Sequence, residues 1–417
     1  MPTPPPARPP LQRRLGLPSA IAIGLASMLG AGVFAVWGPA AGAAGSGPGL
    51  LAALAIAAFI AYCNARSSAR LAARYPQSGG AYFYGTVRLH PAAGFAAGWG
   101  FLVGKSASGA AMALTLGAYL LPDHPRALAA FAVVAFCAVN LLGVQRTALA
   151  SAIFAVITLA VLALVVAAGL AGPVAARPLG DTHPWGVLTA AGFIFFAFAG
   201  YARIATLGEE VVRPEKTIPR AVAIALGATV IVYAAVAVTA LSVLGAGTLA
   251  ESTAPLADLA GAGAPALEPL VAVGAGIAVA GVLLSLLAGI GRTALAMARD
   301  RRLPGPLAAV SERFGVPWAA EVAASAVVLL LVSTLDLAGA IGFSSFCVLV
   351  YYAIANASAA TLDRRAPLPW LGLAGCALVA ASLPASSVLG GLAVFAAGAA
   401  WFWFTERRRR NRDAASS

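Results

Sequence analysis

Long apolar runs separated by short polar gaps follow one another along almost the whole chain. No charged residue occurs from Leu15 to Ala65, and none occurs from Ala366 to Thr405. A helix that crosses a bilayer needs about 20 apolar residues, so each of these stretches is long enough for two spans. The pattern predicts twelve membrane-spanning helices, over residues 16–42, 47–65, 92–121, 127–145, 148–170, 186–207, 220–244, 267–291, 319–335, 340–361, 369–384 and 387–404.

Composition and charge placement favour a protein of the lipid bilayer. Hydrophobic residues make up 61% of the 417 residues and charged residues only 10%, which is more apolar surface than a soluble domain can bury. The net charge of +12 is compatible with nucleic-acid binding, but the basic residues lie in the short gaps. With a cytoplasmic N-terminus, all of the 27 basic residues except Arg126, Arg177 and Lys105 lie on the cytoplasmic side. We therefore predict a multi-pass plasma-membrane protein with both termini in the cytoplasm and no nucleic-acid partner.

The two ends of the chain differ from its apolar body. Residues 1–14 are rich in proline and arginine, which is typical of a disordered tail beside lipid head groups. Residues 405–417 form a second basic tail. No short apolar segment with a cleavage site precedes the first span, so no cleaved signal peptide is expected.

Two predicted spans contain glycine-marked weak points. In the first span, "SMLGAGVF" places Gly30 and Gly32 within an apolar run, although each glycine in a helix interior costs about 1 kcal/mol relative to alanine. In the sixth span, Ala199, Gly200 and Tyr201 interrupt a run of phenylalanines. Interrupted spans in corresponding positions of two halves are a sequence sign of a secondary-transporter binding site. The alternative for the first-span glycines is close helix packing, as expected for "GFAAG" at 94–98 and "GFLVG" at 100–104.

A broken helix would present unpaired backbone groups within the bilayer. Free amides lie at the N-terminus of one half-helix and free carbonyls at the C-terminus of the other. Such groups are tolerated only around a cavity or a ligand. An amino acid, which carries a carboxylate and an ammonium group on one carbon, would satisfy both sets.

Five stretches of the chain resemble the amino acid/polyamine/organocation permeases, including the bacterial amino acid permeases. They occur in the family's order and extend over about three quarters of the chain. The matching stretches are "SMLGAGVF" at 27–34, "YPQSGGAYFYG" at 75–85, "GFAAGWGF" at 94–101, "FFAFAGYARIATLGEEVVRPEKTIPRA" at 195–221 and "GRTALAMARDRRLPGPL" at 291–307.

The resemblance implies an all-α membrane protein of twelve transmembrane helices. Ten of them would form a LeuT-like core of two inverted five-helix repeats, in which helices one and six are discontinuous and work by alternating access. The implied divisions are a core over 15–361, with repeats at about 15–170 and 186–361, two peripheral helices over 369–404, and the tails 1–14 and 405–417.

The resemblance also implies which residues would bind substrate. The amides of Ala31 and Gly32, beside Gly30, would receive the carboxylate. The carbonyls of Met28, Phe196 and Ala199 would hold the ammonium group. The rings of Phe196, Phe198 and Tyr201, beside Gly200, would line or cover the pocket.

Two departures from the family pattern bear on the substrate and on coupling. Many members that transport cations have an acidic residue where this chain has Ala202, so small or apolar neutral amino acids are favoured. The only charge clearly inside a predicted span is Lys105, which the resemblance places on the cytoplasmic-facing wall of the pocket. It is either a gating or coupling residue, or a lysine whose amine reaches the cytoplasmic interface. Sodium coupling has little support beyond Ser285 and Thr293, so a proton or exchange is favoured.

Other functions have less support in the sequence. A cationic amino acid or polyamine transporter of the same family and a non-transporting amino-acid sensor both stay open. An enzyme is not expected, because the spans contain no paired carboxylates and no serine near an intramembrane histidine. No cofactor or metal is expected either, since His90, His124 and His183 lie apart at loop edges. Glu209 and Glu210 are expected to pair with nearby arginines, and the oligomeric state is left open.

Overall fold

The computed structural model describes residues 15–75, 79–143, 148–172, 174, 180–201, 204 and 211–415. Helices make up nearly all of these residues, and the β-type pairing within them is a single bridge between Leu15 and Val211. The predicted tail 1–14 lies outside the described residues, as do Ala202, Glu209 and Glu210.

The described residues form seventeen α-helices and three short 3-10 helices. The α-helices are α1 (Leu17–Met28), α2 (Gly32–Ala35), α3 (Trp37–Ala44), α4 (Gly47–Arg74), α5 (Gly80–Arg88), α6 (Pro91–Leu120), α7 (Pro125–Leu141), α8 (Ala148–Ala171), α9 (Pro184–Phe198), α10 (Pro214–Val243), α11 (Gly245–Glu251), α12 (Pro255–Gly263), α13 (Glu268–Arg299), α14 (Trp318–Thr334), α15 (Leu337–Ala360), α16 (Pro367–Ser382) and α17 (Ala385–Ala415). The 3-10 helices are Ala199–Tyr201, Pro265–Leu267 and Gly305–Ala308.

Nine segments of the described chain are long and apolar enough to cross a bilayer. Three shorter apolar helices, α7, α14 and α16, coincide with the fourth, ninth and eleventh predicted spans. The multi-pass membrane character is thus confirmed, while the arrangement of twelve spans stays a prediction. Three short helices, α5, α11 and α12, occupy segments that the apolar pattern left as connections. The last helix continues to Ala415, past the predicted end of its span at residue 404.

Small residues allow the long helix α6 to lie in the middle of the molecule. It packs against α15, α13, α7 and α14. A Cβ on Gly104 would lie 2.8 Å from the Cβ of Cys347 in α15, and one on Gly98 would lie 2.7 Å from the ring of Tyr82. Backbones can approach this closely only where the side chain is absent. The prediction that "GFAAG" and "GFLVG" serve close packing is confirmed.

Two groups of helices bring the predicted weak points together. The helix α1 packs against α10, and α3 packs against α9. The helix α4 lies behind them, in contact with α9 and α10. The end of α1 and the end of α9 therefore meet inside the molecule.

Candidate functional site

The first apolar segment is interrupted at the predicted weak point. The helix α1 ends at Met28, where the amide of Leu29 donates to the carbonyl of Leu25 at 2.7 Å. Helical structure resumes at Gly32, so residues 29–31 separate two helical pieces. Because α1 ends here, its last carbonyls lack the usual donors from a following turn.

The second weak point is a tightening of the helix followed by its end. The helix α9 ends at Phe198, and residues Ala199–Tyr201 form a 3-10 turn. The amide of Ala199 donates to the carbonyl of Phe196, three residues back rather than four. A 3-10 stretch within an apolar segment is frequently a hinge.

The two interruptions lie directly against each other. A Cβ on Gly32 would lie 2.7 Å from the Cα of Ala197, and a Cβ on Gly200 would overlap the carbonyl of Ser27. A Cβ on Gly30 would meet a methyl group of Val282 in α13 at 3.2 Å. None of these glycines has a positive φ. Gly32 and Gly200 are thus required by close approach of two backbones, and both proposed reasons for the glycines, interruption and packing, apply at the same place.

Two tyrosine hydroxyl groups bond to the carbonyls beside the interruptions. Tyr233 of α10 donates to the carbonyl of Met28 at 2.5 Å, and its hydroxyl lies 3.1 Å from the carbonyl of Ala197. Tyr352 of α15 donates to the carbonyl of Ala199 at 3.1 Å. A phenol hydroxyl has one proton, so Tyr233 donates to one of its two carbonyls at a time. Each of the three carbonyls predicted to hold an ammonium group already has a donor from the protein.

The sequence reasoning missed Tyr233 and Tyr352. The signal was present, because each is a phenol within a long apolar run, and a buried tyrosine hydroxyl normally finds a hydrogen-bond partner. What the run does not reveal is that these partners are carbonyls of two other helices.

The predicted aromatic lining is packed into the interior. Phe198 is fully buried, with its ring centroid 5.0 Å from that of Tyr233, and Tyr201 is fully buried 4.9 Å from Tyr352. Phe196 is also buried but is the most exposed ring of the three, at 8%. Met28 and Ala31 are each 1% exposed. The predicted substrate-binding residues therefore lie together, and the described conformation is closed around them.

Lys105 lies in α6, and a series of aromatic contacts leads from it to the second interruption. Its ammonium group lies 5.8 Å from the ring centroid of Phe101, one turn earlier in the same helix. The ring of Phe101 packs against Tyr351, and Tyr351 packs against Tyr352. Lys105 is thus connected with the second interruption through three aromatic side chains.

Besides Lys105, predicted to be the only charge clearly inside a span, an acidic residue at the edge of the ninth predicted span is buried. Glu321 lies in the first turn of α14 and is 3% exposed. Glu321 is the third residue of the predicted span 319–335, and helices α6, α7 and α13 pack against α14 around it.

The hydroxyl groups considered for sodium bond within their own helix. Ser285 donates to the carbonyl of Gly281 and Thr293 to that of Gly289.

Comparison with known proteins agrees with this architecture. The family model described as amino acid permease matches residues 15–411. The chain belongs to this amino acid permease family, as the sequence resemblance predicted, and the family together with its transporter-named relatives supports an amino acid transporter.

The similar proteins include transporters with different named substrates. An uncharacterized transporter of Mycobacterium tuberculosis (strain H37Rv) is 55% identical, over 97% of this chain and 94% of that protein. A branched-chain amino acid permease of Bacillus subtilis (strain 168) is 28% identical, over 74% of this chain and 72% of that protein. A protein named cationic amino acid transporter 3, mitochondrial, of Arabidopsis thaliana is 26% identical, over 82% of this chain and 61% of that protein.

Proposed function

We propose that the protein is a secondary active transporter of neutral, apolar amino acids across the plasma membrane, driven by protons or working by exchange. Its core would be two inverted five-helix repeats over about 15–170 and 186–361, with two peripheral helices and both termini in the cytoplasm. The observation that carries the proposal is the mutual contact of two interrupted helices, at Gly32 with Ala197 and at Gly200 with Ser27.

Substrate binding would open this contact. In the proposed complex the amides of Ala31 and Gly32 bind the carboxylate, and the carbonyls of Met28, Phe196 and Ala199 bind the ammonium group. A carbonyl oxygen has two lone pairs, so it can accept from an ammonium group beside a tyrosine hydroxyl. The closed contact at Gly200 leaves no room for a substrate there, which supports a cycle in which the two interruptions separate and close again.

The proposed preference for substrates with neutral side chains rests on the residues around the interruptions. Phenylalanine and tyrosine rings surround the interruptions, and the sequence has Ala202 where an acid would serve a cationic substrate. The Bacillus subtilis relative named for branched-chain amino acids is consistent with this preference. The cationic transporter named in Arabidopsis thaliana makes cationic substrates the second candidate.

Lys105 has a gating or coupling role in the proposal. It would supply a fixed positive charge near the cytoplasmic side of the pocket. The aromatic contacts through Phe101 and Tyr351 support a connection between this charge and Ala199.

Uptake of a radiolabelled amino-acid panel into proteoliposomes tests the proposal, with and without a pH gradient. Concentrative uptake of leucine, valine or alanine is expected. Transport of arginine or putrescine without neutral uptake would contradict the substrate class. Substrate binding without flux would identify a sensor instead.

A further inference from the structure

Glu321 is a buried carboxylate at the meeting point of three helices. Its Oε1 accepts a hydrogen bond from Nδ2 of Asn140 in α7 at 2.6 Å. Its Oε2 lies over Gly291 of α13, where a Cβ would overlap it. The side chain is 3% exposed. Glycine at position 291 therefore makes the room that this carboxyl group occupies.

Few positively charged side chains lie near Glu321. In the described ranges, no lysine, arginine or histidine nitrogen lies within the 4.0 Å of an ion pair with it. The ionisable side chains of the helices packed against α14 are Lys105 and Tyr119 of α6, Arg126 and Cys137 of α7, and Glu268, Arg292 and Arg299 of α13. Of these, exposed Arg292 follows Gly291, and Cys137 lies one turn before Asn140. Arg146, beyond the end of α7, lies outside the described residues.

The same amide that binds Glu321 also reaches the helix that touches the first interruption. Nδ2 of Asn140 lies 3.2 Å from the carbonyl of Leu284 in α13. Two residues earlier, Val282 packs against Gly30. The helix α13 thus connects Glu321, through Gly291 and Asn140, with the proposed substrate site. The distance along the helix from Val282 to Gly291 is about 13 Å.

We propose that Glu321 is the proton-binding group that couples transport to the proton gradient, an inference that rests on the proposed function. A buried carboxylate within a span is costly to keep charged, so its ionisation depends on how closely α7, α13 and α14 pack around it. A conformation that admits water from the cytoplasmic side favours the carboxylate, which accepts from Asn140. The closed conformation favours the neutral acid, which has taken its proton from hydronium on the outer side and releases it to cytoplasmic water when that side opens, so that one proton crosses the membrane in each cycle. Because α13 touches Gly30, the two conformations also differ at the substrate site.

The test separates exchange from gradient-driven accumulation in proteoliposomes. Counterflow of a radiolabelled neutral amino acid needs the substrate site but no net proton movement. Accumulation driven by an acidic outside needs the proton site as well. Glu321→Gln keeps an oxygen for Asn140 and removes the titratable group. Glu312→Gln, nine residues earlier and exposed, is the matched control.

The expected result is that Glu321→Gln keeps counterflow within about twofold of wild type and loses gradient-driven accumulation by about tenfold or more. Glu312→Gln should match wild type in both assays. Wild-type behaviour of Glu321→Gln in both assays overturns the proton-site inference and leaves the proposed function intact. Absence of wild-type counterflow overturns the proposed function itself.

A variant inactive in both assays is decided by thermal unfolding of the purified proteins over a range of pH. A titrating Glu321 gives wild type a pH dependence of Tm that Glu321→Gln lacks, which supports the inference. Equal pH dependence overturns it. A Glu321→Gln protein too unstable to purify also overturns it, because the carboxylate is then a structural group.

Discussion

The first and second interruptions are built differently although they contact each other. At the first, three residues separate α1 from α2, so the helix stops and starts again. At the second, α9 tightens into a 3-10 turn. Tyr233 reaches carbonyls of both interruptions, whereas Tyr352 bonds to Ala199 of the second. The first interruption thus breaks the helix over three residues, the second tightens it into a 3-10 turn, and Tyr233 links the two.

The largest effect is expected from filling the contact between the interruptions. Gly200→Ala forces a methyl group into the Ser27 carbonyl, and Gly32→Ala brings one within 2.7 Å of the Ala197 Cα. Overpacking costs about 1–3 kcal/mol, so transport should fall by about 10-fold to 100-fold, with a lower Tm. Uptake and thermal unfolding measure both. Gly227→Ala is the control, because nothing lies within 4 Å of its added methyl group. Unchanged transport in both contact variants would contradict the close approach.

Removing each tyrosine hydroxyl in turn should affect the two interruptions to different extents. Tyr233→Phe leaves the Met28 carbonyl without that donor, and an unsatisfied buried carbonyl costs about 1–3 kcal/mol. Maximal uptake should fall by about tenfold. Tyr352→Phe removes the donor to Ala199 and should cost about threefold. Equal losses of initial-rate uptake in the two variants would contradict the inference that Tyr233, rather than Tyr352, links the two interruptions.

Lys105→Ala tests the connection between α6 and the second interruption. If the ammonium group gates or couples, uptake of neutral amino acids should fall by about fivefold and its dependence on pH should change. A pH series of initial rates for wild type and variant is the measurement. Normal transport at every pH would leave Lys105 as a lysine that reaches the cytoplasmic interface.

The smallest effect is expected outside the membrane-spanning helices, where Tyr82 of α5 donates to Asp300 at 3.1 Å. Burial first, and then the Asp300 carboxylate, raise the pKa of Tyr82 to about 12. The neutral phenol is thus the favoured form. Its contribution to the free energy of unfolding is fully present below the pKa of the unfolded state, about 10, and is lost as the pH rises through about 12. Tyr82→Phe should lower Tm by about 1–3 °C at neutral pH, with uptake unchanged. A large loss of uptake would show that this contact takes part in the transport cycle.

The sequence predicted the elements better than it predicted their contacts. Charge-free runs such as Leu15 to Ala65 identify spans because only helices satisfy the backbone in lipid. The glycines mark the interruptions because glycine is unfavourable in a helix without a reason. The short α11 and α12 could not be recognised, since seven to nine residues between spans carry too little periodicity. The partners of Tyr233 and Glu321 belong to other helices, and spacing along one helix does not reveal them.

The most direct measurement is an electron cryomicroscopy structure of the protein with a bound neutral amino acid. The account predicts ligand density between residues 28–32 and 196–200, with the carboxylate toward the first interruption and the Gly200 contact to Ser27 opened. Ligand density elsewhere, with that contact still closed, would contradict it.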